Sequence, residues 1–354
     1  MMLQEFHQTQ GARFGELNGA TIVMDYGDWL AEHAALRNAV SVLDLSPRSR
    51  LCLVGADRAR FLHGQVTNDV KRLRPGEGCY AAITTAKGKM ESDLNILNLG
   101  EELLLDFEPG LAGKITERLE KFIVADDVQI VDVAPHYGLL TVQGPGAGEV
   151  VRAVGVFAEV PATVLGAVKI SEPMLGEIYL VNHPRLGTMG FDLFVPNHSL
   201  GAVADKLIAA AKQAGGRAVG WVAFDVARIE AGIPRFGVDM DESNIPLECG
   251  IESRAIVYNK GCYIGQEVIN RIHSIGQVTK ELRGLRLADD LATLPARGDK
   301  LFHGGKEVGY VTSAVKSPVL SANIALGYVR KEANQIGAEL MLKTRAGESV
   351  AKIA

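Results

Sequence analysis

Lys260-Gly261-Cys262-Tyr263-Ile264-Gly265-Gln266-Glu267 places one thiol between a lysine and the start of a helix. After Gly265 the apolar residues Val268, Ile269 and Ile272 have the spacing of one helical face, which predicts a loop carrying Cys262 ahead of that helix. The exposed backbone N–H groups of a helix start carry partial positive charge, and with the Lys260 ammonium they favour thiolate over thiol. Cys262 is therefore the candidate nucleophile, with Lys260, Gln266 and Glu267 as its supporting groups. The plainer structural reading of the same residue is a small side chain packed in a glycine-flanked turn.

Outside this stretch the composition is that of a globular protein. A chain of 354 residues exceeds one ordinary hydrophobic core, so two or three domains are expected. No apolar run approaches the ~18 residues that cross a bilayer, and the opening MMLQEFHQTQ lacks a basic and apolar leader pattern. The reading is a cytoplasmic protein with no membrane partner. The four cysteines, Cys52, Cys79, Cys249 and Cys262, are far apart and form no cluster with metal-ligand spacing. That argues against a disulfide framework and against any resident metal. A formal net charge of −5 argues against strong general binding of nucleic acid. Arg254, Lys260, Arg271, Lys280, Arg283 and Arg286 outnumber Glu267 and Glu281 locally, a mixture that an ordinary solvated face also explains.

The pattern along the chain is α+β. A helix is predicted over 32–42, stopped ahead of Pro47, followed by a strand over 50–54 and a helix from Arg58 with Asp57 as its N-cap. Strands follow over 79–84, 94–99 and 103–107, then a helix over 111–122 and a strand over 128–133. A second series has strands over 139–142, 178–181 and 190–195, and a helix capped by Ser199 that ends at Gly215-Gly216. Between them Gly144-Pro145-Gly146 lacks both the third glycine of a dinucleotide fingerprint and the Gly-Lys-Ser/Thr of a P-loop, so no nucleotide site is read there. A helix over 221–231 places Asp225 and Arg228 on one face, where they can pair. Past Gly276 short strands over 281–287, 307–313, 324–329 and 338–342 give the pattern of a small antiparallel barrel.

The octapeptide resembles the K-G-C-Y-x-G-Q-E signature of YgfZ-type folate-binding proteins, relatives of the glycine-cleavage T-protein (aminomethyltransferase). Val42-Leu43-Asp44-Leu45-Ser46, Phe61-Leu62, Thr67-Asn68-Asp69-Val70, Val142-Gln143-Gly144-Pro145, Arg228-Ile229-Glu230-Ala231-Gly232 and Asp239-Met240-Asp241-Glu242 are similar to T-protein motifs, in the same order. The resemblance implies an α+β fold with a tripartite T-protein-like ring of folate-binding domains and a small C-terminal antiparallel β-barrel. It divides the chain into a discontinuous first folate-binding domain (1–49 and 135–245), a second α+β domain (50–134), the signature segment (246–276) and the barrel (277–354). It further implies tetrahydrofolate or a one-carbon derivative as cofactor, with Asp93, Arg228, Thr188, Asn68 and Tyr263 as binding residues.

Several positions depart from the T-protein pattern. Asp93 matches the second aspartate of the family's D-D-L and Ser92 stands at the first, while Thr188 occupies the place of a pterin-binding glutamate. Aminomethyl transfer needs a carboxylate at the folate nitrogen and pterin recognition needs an acceptor. Cys262 replaces an aspartate or similar residue. The resemblance to the YgfZ-type proteins implies a folate-binding accessory protein in assembly or repair of [4Fe-4S] proteins, including radical enzymes that modify tRNA, with iron–sulfur client or carrier proteins as partners. The alternative is a folate-dependent aminomethyltransferase or demethylase. Cys249 is a second thiol whose Glu248-Cys249-Gly250 context reads as a packed turn, with a resolving thiol for Cys262 as the alternative.

Overall fold

The chain opens with helix α1 (Gln4–Thr9), the hairpin β1 (Arg13–Leu17) and β2 (Ala20–Asp25), and helix α2 (Trp29–Asn38). Asp28 caps α2 by accepting from the Ala31 N–H at 3.0 Å. The helix stops short of the predicted Val42, because 41–44 form a strand, β3 (Ser41–Asp44), that is buried throughout and paired with neighbours on both sides. Tertiary burial of this Val- and Leu-bearing run overrides its helical spacing.

The structure is a computed structural model that describes residues 3–157 and 159–354. It divides into one unit of residues 1–81 and 93–227 and a second of 82–92 and 228–354.

Along the chain β3 is followed by β4 (Ser49–Val54), α3 (Arg58–His63), β5 (Gly78–Thr84), β6 (Met90–Asn98), β7 (Leu103–Phe107), α4 (Ala112–Glu120) and β8 (Gln129–Asp132). Strands 5 to 8 and β4 make a sheet in the order β5-β6-β7-β4-β8. Asp57 precedes α3 but does not cap it. Its carboxylate accepts instead from the Asp127 N–H at 3.0 Å and from Arg60.

The chain continues through β9 (Tyr137–Gln143), α5 (Ala147–Ala153), β10 (Ala167–Glu172), β11 (Gly176–Asn182), β12 (Gly190–Pro196), α6 (Asn197–Gln213), β13 (Arg217–Ala218) and α7 (Trp221–Glu230). These strands and β3 form a sheet in the order β10-β11-β12-β9-β3-β13. Ser199 lies inside the first turn of α6 rather than at its cap, and its hydroxyl donates to Leu175 O at 2.7 Å and Pro196 O at 3.1 Å. Extended Pro196 starts the helix.

Alternation on β9 and β12 buries both faces of this sheet. Leu140, Val142, Leu193 and Val195 pack against Leu200, Val203 and Leu207 of α6. Leu139 and Phe194, on the other face, pack with Leu104 of β7. The glycine at 144 serves this packing. It has φ +117°, and a Cβ there would lie 2.8 Å from Ala39 O and 2.9 Å from Leu36 O.

The second unit holds a short helix α8 (Glu252–Ala255), helix α9 (Gln266–Ile275) and strands β14 (Lys280–Leu287), β15 (Lys300–His303), β16 (Lys306–Ser317), β17 (Ala322–Arg330), β18 (Glu339–Thr344) and β19 (Gly347–Ile353). The strands close into a barrel in the order β14-β17-β16-β15-β18-β19, with β14 also paired to β19. Leu285, Leu301, Val311, Val329, Leu342 and Ile353 fill its core. The α+β class and the C-terminal antiparallel barrel are as the sequence predicts; β15 and β19 are strands beyond those read from it.

Candidate functional site

In the first unit the site grows from acidic residues on sheet strands. Asp106 stands amid the apolar run Leu103-Leu104-Leu105-Asp106-Phe107, and its strand position shares a face with Leu104. Arg48 Nε donates to Asp106 at 2.7 Å and Arg48 Nη1 to Glu108 at 2.8 Å. Asn95 Nδ2 donates to Asp106 at 3.0 Å, and Arg185 Nη2 bridges Asp106 at 2.8 Å and Asp192 at 2.7 Å. His183 Nδ1 lies 2.8 Å from Asp192. Asp93 sits beside this array, with Tyr80 OH donating to its Oδ2 at 2.8 Å. Asn68 donates to the Tyr80 carbonyl at 2.8 Å, so it fixes the strand that carries the tyrosine.

The charges in this cluster do not balance. Four carboxyls, Asp93, Asp106, Glu108 and Asp192, share two guanidinium groups, Arg48 and Arg185. Burial opposes ionisation of Asp106 and Asp192, but Arg48 and Arg185 hold Asp106 far below the usual carboxylate range, and Arg185 with His183 holds Asp192 down to about 2. Asp93 is shifted the other way. Burial pushes its carboxyl up to about 6, the nearby Glu108 charge acts in the same direction, and Tyr80 and Arg48 offset only part of this. Burial and then Arg185 lower the proton affinity of His183. Burial thus sets Asp93 toward exchanging a proton near neutrality, opposite to Asp106 and Asp192.

Thr188 lies in the loop between β11 and β12, and its hydroxyl oxygen is buried without a hydrogen-bond partner. A site for folate needs a carboxyl that can change protonation and acceptors for the N–H groups of a pterin. The raised Asp93 fits the first of these needs.

In the second unit the octapeptide packs on the turn of residues 84–88. Thr84 Oγ1 donates to Ile264 O at 2.6 Å. Gly265 has φ +91°, and a Cβ there would lie 2.5 Å from Thr85 O and 2.7 Å from Thr84 Oγ1, so glycine is required by both conformation and contact. Cys262 is a free, exposed thiol three residues before this glycine. Lys260 is buried and its ammonium lies 4.9 Å from the centroid of the Tyr263 ring. Tyr263 keeps a buried hydroxyl with no partner, and burial pushes it up to about 12. Gln266 is half-buried and Glu267 exposed at the start of α9. Cys249 is buried, 3.2 Å from Tyr328 OH and 3.3 Å from Ile245 O, the packed turn that its context indicates.

Arg228, read as a ligand residue, lies buried in a structural knot. Its Nη1 pairs with Asp239 and its Nη2 donates to Ser313 Oγ at 2.9 Å. Asp239 also accepts from Thr312 Oγ1 at 2.6 Å and Ser313 Oγ at 2.7 Å. The register of β16 shifts between Val311 and Ser313, and this bulge is what turns two consecutive hydroxyls toward one carboxylate.

The structure brings Asp93 and Asn68 together through Tyr80, and Lys260 together with Tyr263. Tyr80, Arg48, Glu108, Arg185 and His183 escaped sequence reasoning. The one signal for this array was an acid in the middle of the apolar strand 103–107. Among the described residues no group of His, Cys, Asp or Glu is arranged to hold a metal ion, and no helix is long and apolar enough to cross a membrane.

The GCVT N-terminal domain matches residues 3–260, and the glycine cleavage T-protein C-terminal barrel domain matches 280–354. The chain is 29% identical over 345 residues to an aminomethyltransferase of Rubrobacter xylanophilus, covering 97% of this chain and 90% of that one. It is 29% identical over 335 residues to an aminomethyltransferase of Mycobacterium avium, covering 94% and 89%. The fold is that of the glycine cleavage system aminomethyltransferase T from Bartonella henselae, with a TM-score of 0.89 at 24% identity over 100% of this chain and 96% of that one.

Proposed function

We propose, because the chain belongs to the glycine cleavage T-protein family, that it binds tetrahydrofolate or a one-carbon derivative and transfers a one-carbon unit from an amine donor, as an aminomethyltransferase or demethylase. Aminomethyltransferases of the family use tetrahydrofolate. The observation that carries this reading is Asp93, a carboxyl poised at about 6. When bound, tetrahydrofolate supplies the nitrogen that accepts the one-carbon unit. Asp93 holds or takes up a proton close to that atom, an exchange that a pKa near the working pH favours. Tyr80 OH orients the carboxyl through its 2.8 Å bond. Thr188 Oγ1 offers an acceptor for a pterin N–H. Arg228, held by Asp239 and Ser313, positions the residues around it.

Anaerobic calorimetry with tetrahydrofolate on wild type, Asp93→Asn and Thr188→Val tests this, alongside turnover of a methylamine donor. The expected result is binding by wild type, retained by Asp93→Asn with loss of turnover, and weakened by Thr188→Val. No binding by the folded wild type removes folate from the mechanism.

One observation favours a second reading. Cys262 is exposed, in an octapeptide that resembles the YgfZ signature. In this reading the chain is an accessory to assembly or repair of [4Fe-4S] proteins, with Cys262 supported by Lys260, Gln266 and Glu267. Replacing Cys262 by Ser in cells under oxidative stress then lowers [4Fe-4S] enzyme activities. Unchanged activities rule the thiol role out.

A further inference from the structure

A cavity of about 260 Å³ lies within the first unit, in the layer where Cys52 of β4 and Leu104 of β7 meet Tyr179 and Phe194. None of Asn68, Asp93 or Thr188 lines it, so it is separate from the cluster described above. It falls just below the ~300–1,000 Å³ of sites for drug-sized ligands, which sets the occupant as a smaller molecule.

Three aromatic side chains, Tyr137, Tyr179 and Phe194, stand in its lining. The Tyr137 and Tyr179 rings lie 6.3 Å apart and are inclined at 56°, so they form two walls at an angle rather than a stacked pair. A ring face is the negative end of the aromatic quadrupole, and several such faces around one space are the means by which alkylated ammonium groups are held. Leu99, Leu104 and Val133 supply the apolar remainder.

Two carboxylates share this lining, Glu102 and Glu177. Glu177 is exposed, 3.1 Å from Lys169, whereas Glu102 is half-buried and has no cation partner among the described residues. Burial and then Glu102 raise the Cys52 thiol, and burial and then both glutamates raise the Tyr179 hydroxyl, so the two acids act on the walls of one space. Arg50 does not offset them. It is fully buried at the back of the cavity, its Nη groups donate to the carbonyls of Ser46, Arg48, Ala134 and Tyr137, and Asp106, Asp44 and Asp132 already act on its charge. Ring faces and an unpaired carboxylate are what the cavity presents to an occupant.

We propose that this cavity binds a small methylated ammonium, its charge set between the tyrosine ring faces and Glu102. Methylation matters to the fit. A primary ammonium brings three N–H donors, for which rings and hydrocarbon walls offer no acceptors, whereas N-methyl groups need none and pack on the same walls. The inference is independent of the folate reading, because it uses none of the same residues.

Calorimetry and saturation-transfer NMR on the full chain test it with three matched probes: choline, 3,3-dimethylbutan-1-ol (choline with carbon in place of its charged nitrogen) and ethanolamine (choline without its methyl groups). Saturable choline binding is expected, with each of the other two about tenfold weaker or more. Glu102→Gln should weaken choline by about threefold or more and leave 3,3-dimethylbutan-1-ol unchanged. Leu99→Trp, which fills the cavity from a half-buried position, should abolish choline binding with circular dichroism unaltered. Absence of saturable choline binding by the folded wild type overturns the proposal. So does either of the other probes binding as tightly as choline, choline affinity unmoved by Glu102→Gln, or choline binding that survives Leu99→Trp.

Discussion

Tyr80 OH donates to Asp93 Oδ2 at 2.8 Å, yet the carboxyl it holds still stands at about 6. A hydrogen bond to the charged form lowers a carboxyl pKa, so burial and the Glu108 charge outweigh it here. Asp93 therefore keeps a proton at a pH where the unfolded chain, with its ordinary carboxyl, has released it. The stability this contributes is present below the unfolded value and is lost as pH rises through about 6. Asp93→Asn should accordingly stabilise the protein at pH ~8, by about 1–3 kcal/mol, and by less at pH ~5. Urea unfolding of both proteins at the two pH values checks it. A gain equal at both, or a loss at the higher pH, contradicts the assignment.

Arg48 is the counter-charge of Asp106 and Glu108 together. Arg48→Met leaves two buried carboxylates with fewer partners and should cost about 3–5 kcal/mol in denaturant unfolding. It also removes a positive charge near Asp93, so the titration of Asp93 followed by carboxyl NMR should move upward. The depressed pKa values of Asp106 and Asp192 have the opposite pH signature to that of Asp93. Their contribution is present above the ordinary carboxylate range and lost on acidification, that of Asp192 as pH falls through about 2 and that of Asp106 lower still. Wild type should lose stability on acidification over that window, and Arg48→Met should lose less. Parallel acid-unfolding curves would count against Asp106 as the residue responsible.

Parts of this site were legible in the sequence and parts were not, for a physical reason. Asp93 and Thr188 are marked by local motifs, and Asp106 is conspicuous as an acid among leucines. Arg185 reaches Asp106 across 79 residues of chain, and no periodicity encodes which distant guanidinium meets which carboxylate. Elements show the same division. The barrel strand β16 carries the compact stretch Val308-Gly309-Tyr310-Val311 that marks it as a strand, whereas β19 buries only Ala351 and Ile353, beside Lys352 and the exposed Val350, and has little pattern to read. Helix α2 was read too long because Val40 and Val42 fit a helical stripe equally well. Burial in the sheet decides between the two.

The pair Arg228–Asp239 ties the end of α7 to the bulge of β16 through Thr312 and Ser313. Asp239→Ala leaves a buried guanidinium with its main acceptor gone and should cost about 3–5 kcal/mol. Arg228→Met combined with Asp239→Ala should cost clearly less than the sum of the single changes. Additive losses in that double-mutant cycle would show that the two side chains act separately.

The conformation of Gly265 fixes where Cys262 sits. Gly265→Ala forces a Cβ to within 2.5 Å of Thr85 O at φ +91°, so either the octapeptide or the turn of residues 84–88 must move. A loss of about 1–3 kcal/mol is expected from the left-handed conformation and the backbone contact together. Thiol titration reports the displacement directly, because the four cysteines differ in access. In the native wild type Cys262 should react first with a dithiobenzoate reagent, Cys79 more slowly, and buried Cys52 and Cys249 only on unfolding. With Gly265→Ala the rate at Cys262 should change while Cys52 and Cys249 stay protected. An unchanged Cys262 rate in a folded Gly265→Ala protein would mean that the thiol's position is set by something other than the packing of Gly265 on Thr84 and Thr85.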